Sequence, residues 1–243
     1  MSENATAQGA TAQGAAVQQT TFSPMTLSVL KNFSTVYKGM AFRPGQQLKT
    51  ISEMSSIYAE SDIGEVIPRE FAIHDLNGWL ALVGLFKEPV FYFHERHMVI
   101  KEKDGRSAVT YYYAGQGMVK APPEKKLLVP AKNVKFTITE EALSTLQRVA
   151  AVLQLPELVV ESDGVNIKVG AENRKEKQGN NYQLDIDGSA QGITCKVLFK
   201  MENLKLLKGG YDVIVGKGLA NFSHKDIGLR YWVAAESGSK FDE

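Results

Sequence analysis

The feature that most constrains this chain is a recurring order of elements, in which one short amphipathic stretch of helical period is followed by several short runs of strand period. The order occurs four times after Phe22. The first helical stretch follows Ser23-Pro24, a side-chain cap and a residue suited to a first helical turn, and it stops at Gly39. Val29, Leu30, Phe33, Val36 and Tyr37 share one face of it, while Ser28, Lys31, Thr35 and Lys38 share the other. Strand-like runs near 40–43, 47–52 and 56–62 come next. A strand at 70–74 leads into a second helix at 75–86, capped by Asp75 and stopped by Pro89, and then into strands at 90–94, 98–103 and 107–113.

Residues 114–132 break this order with Gly115, Gly117, Pro122, Pro123, Pro130 and the charged run Glu124-Lys125-Lys126, the composition of a linker. The third cycle has a strand at 134–138 and a helix capped by Thr139. Glu140 and Glu141 lie in its first turn, where the helix dipole favours carboxylates. Leu143, Leu146, Val149, Ala150 and Leu153 form its core face, with Arg148 opposite. Strands at 157–162, 165–170 and 181–187 follow, the first two joined by an Asp163-Gly164 turn. The fourth cycle starts with a strand at 193–199, has a short helix ending at Gly209-Gly210, and closes with strands at 211–215, 219–223 and 229–235.

Two such units in each of two similar domains, at 22–113 and 133–236, predict an α+β chain built on antiparallel strands. A parallel α/β enzyme would instead alternate longer helices with single strands. Residues 1–21 contain the direct repeat Thr6-Ala7-Gln8-Gly9-Ala10 and Thr11-Ala12-Gln13-Gly14-Ala15 and carry too few large apolar side chains to offset ordering, so they read as a disordered tail. Residues 237–243 read as a C-terminal tail.

Function classes narrow next. The net charge of +1 excludes a protein that grips nucleic acid by sheer positive charge, so local arrangement has to carry any such role. The single Cys195 cannot form an intramolecular disulfide, and no apolar run approaches the roughly 18 residues of a membrane span. A reducing cytoplasm and no membrane are the expectation.

Catalytic patterns are poor. No Walker A loop, GxSxG elbow or metal-spaced Cys pair is present, and Lys217 after Gly216 lacks the rest of a phosphate loop. His94 and His97 sit three apart on a strand or hairpin turn, which puts the rings on opposite faces or across the bend. Asp185 and Asp187 share a strand face but supply too few oxygens for Ca²⁺, and Asp75 beside His74 is explained as a cap. The reading is a protein without catalytic residues, metal or cofactor. Lys31, Lys38, Arg148, Lys205 and Lys208 lie opposite apolar stripes or at a helix end. Each alone is an ordinary solvated side chain, but their recurrence across the repeats points to a shared basic surface.

Further segments stand out: Leu30-Lys31-Asn32-Phe33; Tyr58-Ala59-Glu60 with Asp62, Val66 and Ile67; and Ala72-Ile73-His74-Asp75-Leu76-Asn77-Gly78-Trp79-Leu80. Later ones are Leu146-Gln147-Arg148-Val149, Met201-Glu202-Asn203-Leu204-Lys205 and Tyr231-Trp232-Val233-Ala234-Ala235. In these segments the chain resembles the sliding clamps, the DNA polymerase processivity factors, of T4-type bacteriophages.

The resemblance implies the DNA-clamp fold and a homotrimeric ring with helices lining the hole and sheets outside. It implies a tether that encircles duplex DNA without reading bases, holds the replicative polymerase and hydrolyses nothing. The partners implied are double-stranded DNA, a polymerase tail peptide, an ATP-dependent clamp loader and late-transcription proteins, in the cytoplasm of the infected bacterium. DNA-facing residues are then expected at Lys31, Lys38, Arg148, Lys205 and Lys208.

The strand 106–113 of one subunit is expected beside 181–187 of the next, with Tyr111, Tyr113, Tyr182 and Leu184 in contact. The alternative for these tyrosines is a sheet face within one domain. A client-peptide pocket is expected from Leu127, Leu128, Val129, Tyr231 and Val233, unless those residues simply hold the linker to the sheet. Two departures accompany the resemblance: the N-terminal tail, and a second helix with no basic residue from Leu76 to Leu85, where only Lys87, Asn77 or backbone could meet DNA. The rival class is a ring-forming, β-rich phage structural protein that does not bind DNA.

Overall fold

The Ser23 hydroxyl accepts from the Thr26 amide at 3.2 Å, and the helix it caps begins at Pro24. In the computed structural model of the chain, which describes residues 17–115, 117–124, 127–176 and 178–242, this helix is α1 (Pro24–Val36), preceded by β1 (Gln18–Thr20). The first half continues with β2 (Met40–Phe42), β3 (Gly45–Ile51), β4 (Ile57–Ile67), β5 (Phe71–Ile73), α2 (Leu76–Val83), β6 (Pro89–Phe93), β7 (His97–Glu102) and β8 (Ala108–Tyr112). The second half holds β9 (Asn133–Ile138), α3 (Glu140–Leu153), β10 (Glu157–Asp163), β11 (Ile167–Glu172), β12 (Tyr182–Ile186), β13 (Gly188–Ser189) and β14 (Thr194–Lys200). A 3₁₀ turn at Met201–Asn203 precedes β15 (Tyr211–Gly216), β16 (Leu219–His224), β17 (Leu229–Ala234) and β18 (Lys240–Asp242).

The strands form a four-stranded sheet β1-β6-β7-β8, a five-stranded sheet β12-β11-β10-β14-β18, a seven-stranded sheet β13-β9-β15-β16-β17-β4-β3 and a β2-β5 pair. Every pairing among the described residues is antiparallel, whether the strands are joined by a hairpin or come from distant parts of the chain. The seven-stranded sheet crosses from one half to the other. Ile57 faces Val233 and Ser61 faces Leu229 where β4 meets β17, so the halves share backbone hydrogen bonds as well as the linker.

One core runs under both halves. In the first half it is aromatic. Trp79 of α2 is 1% exposed and meets Phe22, Phe42 and Phe91 at ring-centroid distances of 6.2, 6.5 and 5.7 Å. In the second half it is mainly aliphatic, with Leu143 and Leu146 of α3 set against strand residues such as Val160, Val169 and Val197. Each large buried side chain removes enough apolar surface for roughly 1.5–3 kcal/mol.

Three expectations need correction. Residues 1–21 are not structureless throughout: Gln18–Thr20 form β1, with Gln18 opposite Phe93 and Thr20 opposite Phe91. Their polar side chains give no hydrophobic signal, and it is the backbone ladder of β6 that orders them; the direct repeat lies outside the described residues. Residues 237–243 are likewise not only a tail, because Lys240–Asp242 add to the edge of β14. The fourth helix is reduced to the 3₁₀ turn Met201–Asn203, with no side-chain cap at Lys200. The eight residues before Gly209 are too few for a helix to be stable by itself, and tertiary contacts draw their backbone groups elsewhere. No helix among the described residues is long and apolar enough to cross a membrane.

Candidate DNA-facing layer, ring edges and client pocket

The helical elements stand in one row. α1 packs against α2 on one side. On its other side, Asn32 Nδ2 donates to the Lys205 carbonyl at 2.9 Å, and Lys205 Nζ donates back to the Thr35 carbonyl at 2.7 Å. Gln147 Nε2 of α3 then donates to the Leu204 carbonyl at 3.2 Å, so the order is α2, α1, the segment 201–208 and α3.

The five basic residues singled out in the sequence fall on this row, and all are exposed. Lys31 lies on the wet face of α1 and Lys38 just past its C-terminal end, while Lys205 and Lys208 belong to the irregular segment. Arg148 projects from α3, with Nη2 3.3 Å from the Thr145 hydroxyl. Lys205 is not a free cation, since its ammonium completes the C-terminal end of α1, where backbone carbonyls gather negative charge. The exposed face of α2, with Asn77, Gly78 and Ala81, carries no charged side chain among the described residues.

Capping fixes the two principal helices in different ways. The Glu65 carboxylate of β4 accepts from the Thr26 hydroxyl at 2.7 Å and from the Ser23 amide, so α1 receives its N-terminal anion from a strand. Burial alone would raise the Glu65 pKa, but the hydrogen bonds from Thr26 and Ser23 prevail and hold it below the ordinary value. In α3 the anions are its own Glu140 and Glu141, with the Thr139 hydroxyl accepting from the Ala142 amide at 3.2 Å.

Sheet edges form the second part of the site. In the four-stranded sheet β1 covers β6 and leaves β8 at the far edge, and in the five-stranded sheet β18 covers β14 and leaves β12. Tyr111, Tyr113 and Tyr182 lean against the core from these edges, while Tyr112 is 72% exposed on the opposite face of β8. Tyr113, just past β8, stacks on Phe71 at 4.9 Å; burial, only partly offset by the Arg69 charge, pushes its phenol up to about 12. The Tyr111 phenol is also raised, by burial and then by the Asp75 charge. Leu184 is half-buried on β12.

The residues expected to form a client pocket are not brought together. Leu128 is 78% exposed and Leu127 37%, but Tyr231 and Val233 are 0% exposed. Side chains sealed inside the shared sheet cannot line a surface groove, so Tyr231 and Val233 leave the set. The first part of the linker is pinned instead to the first half. Lys120 Nζ donates to the Ser52 and Glu53 carbonyls and the Ser55 hydroxyl at 3.0, 2.7 and 2.8 Å, and Arg43 Nη2 donates to the Pro122 carbonyl at 3.2 Å. Where the chain enters this linker, a recess of about 750 Å³ opens between Phe71, Tyr112, Tyr113 and Val119, with Glu70, Glu95 and Arg96 among its polar lining. The sequence offered no sign of it, because its walls come from β5, β8, the β6–β7 turn and the linker.

The remaining chemical candidates resolve simply. His94 and His97 stack across their turn with centroids 4.6 Å apart. Asp185 lies 3.9 Å from Lys168 on the neighbouring strand. The Asp75 carboxylate accepts from the Gly78 amide at 3.0 Å and caps α2.

A row of short helices backed by antiparallel sheets, with free strands at both ends, is the architecture of a DNA clamp. Among solved structures the chain superposes on the Proliferating Cellular Nuclear Antigen of Entamoeba histolytica with a TM-score of 0.65 at 6% identity, covering 86% of this chain and 94% of that one. It superposes on the PCNA2–PCNA3 complex of Sulfolobus tokodaii with a TM-score of 0.61 at 10% identity, covering 90% and 98%. These superpositions show the DNA-clamp fold.

Sequence comparison carries the assignment further. Residues 22–115 match the family described as DNA polymerase processivity factor. The sliding clamp of Enterobacteria phage T4 is 29% identical over 224 residues, covering 89% of this chain and 97% of that protein. The sliding clamp of Escherichia phage RB69 is 28% identical over 227 residues, with shares of 89% and 97%, and that of Vibrio phage KVP40 26% over 218 residues, with shares of 87% and 97%. Over most of its length the chain is thus similar to the sliding clamps of T4-type phages, and its first half matches the DNA polymerase processivity factor family.

Proposed function

We propose that three copies of this chain close into a ring around duplex DNA, with β8 of one subunit paired to β12 of the next. Each subunit contributes two clamp domains, 22–113 and 133–236, joined by the linker and the β4–β17 pairing. The observation that carries this reading is the single row α2, α1, 201–208 and α3, in which Lys31, Lys38, Lys205, Lys208 and Arg148 are all exposed. Unpaired ladder groups on β8 and β12 give such a ring its joints, and pairing them hides edges that would otherwise recruit other chains.

A closed ring stays on DNA by topology. Tight phosphate binding would brake its sliding, so a few exposed cations per subunit and a net charge of +1 suit the task. Base reading is not required. The chain is a tether for DNA polymerase that performs no reaction of its own, opened by an ATP-dependent loader and working in the cytoplasm of the infected bacterium. Client peptides, from the polymerase and from late-transcription proteins, dock at the linker, through the exposed Leu127 and Leu128 with Val129 beside them and the apolar recess at Phe71, Tyr113 and Val119.

The test is the double variant Lys31→Glu with Arg148→Glu. Its solution mass should remain that of a trimer while loader-dependent primer extension shortens, because the reversed charges repel phosphate. Primer extension of unchanged length would show that this face does not meet DNA.

A further inference from the structure

The segment where a fourth helix was expected satisfies its backbone in an unusual way. A helix hydrogen-bonds to itself, but here four consecutive-region carbonyls are met by side chains from four separate elements. The Leu204 carbonyl accepts from Gln147 of α3 at 3.2 Å and the Lys205 carbonyl from Asn32 of α1 at 2.9 Å. The Leu207 carbonyl accepts from the Tyr211 hydroxyl of β15, and the Lys208 carbonyl from His224 Nε2 of β16 at 3.0 Å. A fifth element, β17, supplies Tyr231, whose hydroxyl accepts from the Leu207 amide at 3.1 Å and donates to Asn32 Oδ1 at 2.7 Å.

The parts of this cradle interlock. Asn32 uses both ends of its amide, one on Lys205 and one on Tyr231, so its orientation is fixed by the network. His224 Nδ1 accepts from the Asp226 amide at 3.1 Å, which leaves the proton on Nε2 for the Lys208 carbonyl. Gly209 has φ +148°, and a Cβ there would lie 2.1 Å from His224 Nε2, so only glycine lets the segment turn this closely over the ring. Burial raises the Tyr211 and Tyr231 phenols above their ordinary range, which keeps both hydroxyls protonated as donors.

We infer that Asn32, Gln147 and Tyr231 are positioning residues of the DNA-facing layer: they give a non-helical segment one shape and so present Lys205 and Lys208 as charges in fixed places. The inference rests on the reading that this row faces DNA. Without the cradle the same two lysines would sit on a mobile loop, where each phosphate contact carries the cost of ordering the backbone.

The experiment compares three trimeric rings, Asn32→Leu with Gln147→Leu, Lys205→Ala with Lys208→Ala, and all four substitutions together. The probes are binding of a short DNA duplex across a salt series and amide hydrogen exchange of residues 204–208. The cradle variant should lose as much salt dependence as the lysine variant, though it keeps both lysines, and the quadruple variant should lose no more. Exchange at 204–208 should be faster in the cradle variant at unchanged ring mass.

Faster exchange with unchanged salt dependence in the cradle variant would overturn the positioning role while leaving the DNA-facing reading intact. Unchanged salt dependence in the lysine variant would instead overturn the DNA-facing reading of those two residues, and the inference with it. Should the paired leucines disturb ring mass, Tyr231→Phe removes a single hydroxyl from the same network and is held to the same two readouts.

Discussion

In the first half the helical layer is two helices in contact, whereas in the second it is one helix and a cradled loop. α1 and α2 satisfy most backbone groups within themselves and need neighbours chiefly for burial. The segment 201–208 has its carbonyls held by residues from Asn32 to His224, so substitutions far apart in sequence act on one short stretch. The two halves thus reach one surface by different means, local in the first and collective in the second.

The largest expected effect probes the local half. Trp79→Ala leaves a hole among Phe22, Phe42 and Phe91 and should cost about 3–5 kcal/mol in chemical denaturation. The same measurement on Leu146→Ala in α3, at about 2–5 kcal/mol, asks whether the aliphatic core relaxes more easily. A loss of less than about 1 kcal/mol for Trp79→Ala, the size of a cap contribution, would mean that the aromatic cluster does not hold α2.

Next comes the N-terminal strand. A chain shortened to begin at Thr21 loses β1 and bares the edge of β6, and each kcal/mol lost should lower the melting temperature by roughly 2–4 °C at this size. An unchanged melting temperature would show that Gln18–Thr20 add nothing to the sheet.

The caps give the third contrast. Glu65→Gln and Thr139→Ala should each cost about 1 kcal/mol, but only the first should change how stability depends on acidity. Because the folded pKa of Glu65 lies below its ordinary 4.5, its contribution is complete above that value and is lost as pH falls through the folded pKa. Stability curves of the wild type and Glu65→Gln should therefore converge in acid, and a constant gap would refute the assignment.

The smallest effect belongs to a turn. Hydrogen bonds from the Asn166 side chain, the Asn166 amide and the Val165 amide hold the Asp163 pKa at about 2. Asp163→Asn should lower stability slightly at neutral pH, with the difference fading between 3.8 and about 2.

Most of the fold was legible because the signals were local. Ser23, Asp75 and Thr139 cap the helices expected of them, and Asp163-Gly164 turns the expected hairpin. What escaped depended on partners distant in sequence: Gln18–Thr20 and Lys240–Asp242 are strands only because β6 and β14 offer them edges. The segment Met201-Glu202-Asn203-Leu204-Lys205 has helical composition, and side chains from other elements outcompete its own ladder. Lys31 and Arg148 were readable as exposed because a helical period assigns faces, whereas Lys38, Lys205 and Lys208 are exposed from non-helical backbone. Tyr231 and Val233 were misplaced because alternation along β17 does not say whether the second face of the sheet is also covered.

The pairing of β4 with β17 also sets an order of events at synthesis. Residues 57–61 wait for 229–233, so the eleven-residue β4 keeps one side unpaired until nearly the whole chain has left the ribosome. Contacts that bridge so much sequence form late and slowly. A nascent or truncated first half is therefore an open sheet edge in search of a partner, and at high concentration such edges find one another.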